Sequence, residues 1–161
     1  MTHREFYIER WEAEFPATVR VFKALSADKL DYRPHPKSRS AGELVELLVG
    51  EEKAGIQLCD EWKIDWTDPK GFGKLPDMIA EFEKHHRALG EKLRKLDEAA
   101  WDKRVGFFMG GKQLMEESAG ALLWSFLLDA IHHRGQLSVY IRPMGGKVPS
   151  IYGPSADDSG M

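Results

Sequence analysis

The segment from about Glu116 to Met144 constrains this chain more than any other. It is apolar on almost every side, through Leu123, Phe126, Leu127, Leu128, Ala130, Ile131, Leu137, Val139 and Ile141. A helix that is hydrophobic nearly all round has to be covered nearly all round. The bilayer is no cover for it. Asp129, His132, His133 and Arg134 sit in its middle, and no apolar run approaches the roughly 20 residues that span a membrane. The cover must therefore come from other helices of the chain.

Three further segments have the periodicity to supply it. Residues 3–25 place Phe6, Ile8, Trp11, Phe15, Val19, Phe22 and Leu25 at three- and four-residue steps, with Thr2 as the N-cap. Pro16 interrupts this run; its ring clashes with the carbonyl four residues back, which predicts a kink in one helix rather than two helices. Ser40-Ala-Gly-Glu43 is a capping box, so a second helix starts at Ala41 and reaches about Trp62. Its apolar face is Leu44, Leu47, Leu48 and Leu58, with Glu51 on the same stripe. The third runs from about Pro76 to Leu96 with Leu75, Ile79, Phe82, His86, Leu89, Leu93 and Leu96 aligned. The connection that follows has little periodicity and room for one short extended piece around Phe107. From about residue 146 the chain is rich in Pro, Gly and Ser and reads as a flexible or extended tail. The expected fold is a single all-α domain over residues 1–161, a four-helix bundle.

Composition narrows the function. With 161 residues, 42% hydrophobic and 30% charged, the chain can bury a substantial core and is too apolar for disorder. A formal net charge of −3 gives no electrostatic reason to expect nucleic acid or an anionic membrane as partner. The N-terminus is charged from its third residue and lacks the apolar stretch of a signal peptide, so a cytoplasmic location is expected. The single cysteine, Cys59, excludes an intrachain disulfide and a cysteine zinc cluster; at helical spacing from Gly55 and Trp62 it reads as a packing residue.

On the apolar fourth helix, Ser125, Asp129, His133, Gln136 and Tyr140 fall within one narrow stripe at about 100° per residue. With apolar neighbours on the other sides, that stripe is expected to face a cavity. Asp129 and His133 are one turn apart, with Cβ atoms about 5–6 Å from each other, close enough to chelate one cation. The plainer alternative is a hydrogen-bonded Asp–His pair. Glu51 could approach the same level or form an ion pair with a nearby Lys or Arg. His86 could point inward as an alternative ligand or serve as a hydrogen-bonded core histidine. A buried Arg134 requires a carboxylate or carbonyl partner.

The segment "HHRGQLSVYIRPMGG" followed by "KVPSIYG", together with "RSAGEL" preceded by "DYRPHP", resembles the signatures of the DinB/YfiT-like superfamily of metal-dependent enzymes. The resemblance implies a four-helix bundle, usually dimeric, with a metal held by one histidine on the second helix and an HxxxH pair on the fourth. Carried onto this chain, the last ligand is His133, the one before it becomes Asp129, and the second-helix position becomes Leu47, which cannot ligate. Glu51, one turn further on, or His86 would then complete the set.

Two functions follow. The first is a metal-dependent enzyme, a thiol-dependent transferase or hydrolase-like protein. It would use a divalent metal, zinc or nickel foremost, with Gln136, Tyr140 and Trp66 near a small-molecule substrate and Trp62 and Phe72 at the rim. The second is a metal-free small-molecule binding or interaction protein on a decayed site. Either is expected to be a homodimer without nucleic-acid or membrane partners.

Overall fold

The computed structural model describes residues 1–160; Met161 lies outside the described residues. Four long helices organise it: α1 (His3–Lys23), α2 (Ala41–Glu61), α3 (Leu75–Leu93) and α5 (Ala119–Ile141), with a one-turn helix α4 (Glu98–Trp101) before the last. α2 packs against α3 and α5, and α1 packs against α5 and α3, so the four close a ring.

The helix starts are written in local chemistry. Thr2 and Glu5 form a capping box at α1, as do Ser40 and Glu43 at α2, each satisfying amide groups that the helix leaves free. Such a cap contributes about 1 kcal/mol. α1 continues through Pro16 as one element, with the proline facing solvent. α2 ends at Trp62, whose left-handed backbone (φ 54°) turns the chain into a strand.

That strand overturns the all-α expectation. β1 (Lys63–Trp66), β2 (Arg104–Met109) and β3 (Lys112–Ser118) form a sheet in the order β1-β2-β3. β1 runs parallel to β2, with Ile64 opposite Phe107, and β2 is antiparallel to β3. The hairpin turns at Gly110 and Gly111, with φ of 59° and 78°, backbone that favours glycine and matches strand twist. The extended piece expected around Phe107 is thus the middle strand. The fourth long helix begins at Ala119 rather than near Glu116, because residues 112–118 pair with β2 and Ser118 caps the helix through the amide of Ala121.

Two apolar clusters fill the interior. One centres on Phe22, Leu44, Leu48, Phe82, Leu137 and Ile141; the other on Tyr7, Leu58, Ile64, Leu93, Trp101 and Leu123. The sheet belongs to the second, through fully buried Ile64 and Val105. Among the described residues, no helix is long and apolar enough to cross a membrane. Residues 147–160 are not helical, and they are tied down: Asp157 pairs with Arg142 at 2.9 Å and the hydroxyl of Tyr152 donates to Glu14 at 2.8 Å.

Candidate metal centre

Between the two clusters, each long helix carries polar residues: Glu14 and Thr18 on α1, Glu51 and Glu52 on α2, His85 and His86 on α3, and Asp129, His133 and Arg134 on α5. The result is a polar belt at mid-height. Polar groups at this depth need partners, since an unsatisfied one costs about 1–3 kcal/mol. Arg134, with 2% exposure, has them: Glu14 at 2.6 Å as the carboxylate, Thr18 and the Glu14 carbonyl at 3.3 Å, and the hydroxyl of Tyr152.

Glu51, Asp129 and His133 come together on the α2–α5 side of the belt. One oxygen of each carboxyl and one ring nitrogen of the imidazole lie within 4.8 Å of one another. Nε2 of His133 is 3.2 Å from Oδ2 of Asp129. The other ring nitrogen, Nδ1, donates to Oε1 of Gln136 at 3.1 Å, and Nε2 of Gln136 donates to Nε2 of His132 at 3.0 Å. Gln136 therefore fixes the tautomer and direction of His133, so that Nε2 faces the carboxylates.

The three side chains grade from interior to solvent. Glu51 is 5% exposed, the His133 side chain 17%, and that of Asp129 50%. The stripe expected to face inward along its length instead rolls outward toward its start: Ser125 and Asp129 are exposed and Tyr140 is buried. The candidate centre consequently lies at the surface, with Glu51 as its innermost group. Burial pushes the Glu51 carboxyl well above the usual carboxylate range, reinforced by a hydrogen bond with Asp129 and by the charges of Asp129 and Glu52. Its Oε2 is buried without a hydrogen-bond partner.

The remaining candidates lie elsewhere. His86 is away from this centre: its ring stacks on Trp11 (3.7 Å between centroids) and Phe15 (4.0 Å), and Nδ1 donates to Glu52 Oε1 at 3.2 Å. Trp11 Nε1 donates to the same oxygen at 3.2 Å. Tyr140 is fixed by donating to the Arg39 carbonyl at 3.2 Å and by an edge-on contact with Tyr32. Trp66 lays its ring beside Gly50, next to Glu51, and donates to Asp68 at 2.8 Å. Phe72 covers Gly42 and Trp62 receives the Lys103 ammonium 3.9 Å from its ring centre. Leu47 is buried in the first cluster, 4% exposed. Glu52 carried no sequence signal of its own. Its partners come from two other helices, and only the folded chain assembles them.

The sequence profile of the DinB family matches residues 1–160. This chain belongs to the DinB family. An uncharacterised DinB-family relative, YrdA of Bacillus subtilis (strain 168), is 25% identical over 160 residues, covering 96% of this chain and 90% of the relative. Two DinB-like crystal structures share the fold. The one from Bacillus cereus ATCC 10987 has a TM-score of 0.75 at 20% identity, covering 92% of this chain and 97% of that one. The other, from Bacillus subtilis, has 0.66 at 22%, covering 86% and 91%. A mycothiol-dependent maleylpyruvate isomerase also matches in fold, with a TM-score of 0.61 at 12% identity, over 91% of this chain and 64% of that one.

Proposed function

We propose that this DinB protein is a metal-dependent enzyme whose divalent cation is held by Glu51, Asp129 and His133. The observation that carries the reading is the convergence of those three donors from two helices within 4.8 Å. The donor set fits. Two carboxylates and one imidazole suit zinc, nickel, iron or manganese, and zinc or nickel is our first choice. The orphaned Oε2 of Glu51 supports the fit, because a cation would give this buried oxygen the partner it lacks.

Leu47 explains why Glu51 is needed. With an apolar side chain packed into the core where the family pattern has a histidine, the second helix offers its ligand one turn later. A bound cation would act as a Lewis acid on a small-molecule substrate; a thiol-dependent transfer is the reaction class in keeping with the fold likeness to a mycothiol-dependent isomerase, with a hydrolysis as the alternative. Around it, Gln136 keeps His133 oriented, and Trp66 and Phe126, 6.2 Å apart, offer apolar surface near the same part of α2 and α5. The scaffold reads as a four-helix bundle on the ring of helix contacts, and as a homodimer on the exposed face of α5 that carries Leu128 and Val139.

Titrating metal-stripped protein with zinc and with nickel by calorimetry tests the reading. One saturable site is expected, lost in His133→Ala. Absence of saturable binding by either ion favours the metal-free small-molecule binding or interaction protein that Leu47 would also suit.

A further inference from the structure

We propose that the interior cavity beside Glu51 is a binding site for the primary ammonium group of a small organic amine. The cavity is about 40 Å³ and is walled by Trp11, Phe15, Phe82, Glu51, Glu52 and His86, among others. Asp129 and His133 do not line it. Glu51 alone belongs to both places, and the inference rests on Glu52, which has no part in the metal centre.

The charge inside is unbalanced. Arg134 reaches the wall but is neutralised by Glu14 at 2.6 Å, and among the described residues no lysine or other arginine lines the cavity. That leaves Glu52, whose Oε2 is buried without a partner; Glu51, its carboxyl pushed well up by burial, is not counted as a charge. The other oxygen of Glu52 accepts from Trp11 Nε1 and His86 Nδ1, each at 3.2 Å, which holds the carboxylate in place. A fixed carboxylate beside aromatic rings recognises a cation with hydrogen-bond donors, through charge-assisted bonds and the faces of the rings.

Size and donor count select among cations. A volume of about 40 Å³ holds roughly three water-sized groups, so an ammonium and its first carbon fit, and a quaternary ammonium does not. A metal ion is disfavoured, because among the described residues the one cluster of three convergent ligand atoms is that of Glu51, Asp129 and His133.

Saturation-transfer NMR on the full chain, stripped of metal, tests this with ethylammonium and with ethanol as its neutral counterpart. Saturable binding of ethylammonium is expected, and none of ethanol at equal concentration. Glu52→Gln should weaken the ammonium about tenfold or more, as for loss of a charged hydrogen bond, while Asp77→Asn, at an exposed carboxylate on α3 outside the cavity wall, leaves it unchanged. The proposal is overturned if ethylammonium does not saturate, leaving only water for the cavity, or if ethanol binds equally. It is also overturned if Asp77→Asn removes binding as fully as Glu52→Gln. Should Glu52→Gln not fold, the ammonium–ethanol comparison on the unaltered chain decides alone.

Discussion

Nδ1 of His133 donates to Oε1 of Gln136 at 3.1 Å, one turn further along α5, and this bond leaves Nε2 aimed at Asp129. A histidine with both ring nitrogens assigned is already prepared to ligate. Groups that orient a ligand in this way commonly contribute 10–100-fold to metal affinity. Gln136→Leu should therefore weaken metal binding by about 10–100-fold with the fold intact, read by competition with a chromophoric chelator. Unchanged affinity would remove Gln136 from the site.

The raised carboxyl of Glu51 makes metal loading depend on pH. Burial, then Asp129, raise its carboxyl well above the ordinary range. A raised folded-state value means stability that is full below the unfolded value, about 4.3, and is lost as pH rises through the folded one. The metal-free protein should accordingly be less stable at neutral than at mildly acidic pH through this group, and Glu51→Gln should flatten the dependence. A cation takes the place of the proton, so affinity should rise with pH and binding should release about one proton per ion. Calorimetry in two buffers of different ionisation enthalpy measures that number; zero would contradict the protonation state.

Much of this was legible in the chain. The capping boxes at Thr2 and Ser40 mark two helix starts because their chemistry is local. Asp129 and His133 share a face by helix geometry alone, and Glu51 stands out as the acid on an apolar stripe. The sheet was hidden for physical reasons. β1 has only four residues, and β3 is exposed at nearly every position, so neither shows alternation; Gly110-Gly111 was the one signal of the hairpin. The depth of the site was equally unreadable. Asp129 is half exposed, which periodicity on one helix does not reveal.

Cys59 should be inert. Burial, then the charge of Asp60, push its thiol up to about 11, with Lys92 opposing. The thiol stays protonated at neutral pH and supplies little nucleophile. Alkylation by iodoacetamide in the folded protein should be far slower than in denaturant, and should keep rising about tenfold per pH unit up to about 11. Rapid labelling at neutral pH would show a different environment.

Leu128 and Val139, 61% and 70% exposed, lie eleven residues apart on α5 and so on one face, with exposed Gly135 between them. Two such faces can pack closely where glycine removes a side chain. We expect light scattering to give the mass of a dimer, and Leu128→Lys with Val139→Lys to give that of a monomer. A monomeric unaltered chain would refute the assembly.

Anomalous diffraction from crystals of protein loaded with zinc or nickel, collected at the absorption edge of the ion, tests the central claim most directly. The account predicts one dominant peak within bonding distance, about 2.0–2.2 Å, of a Glu51 oxygen, an Asp129 oxygen and Nε2 of His133. A peak held by other residues, or no peak in fully loaded crystals, would contradict it.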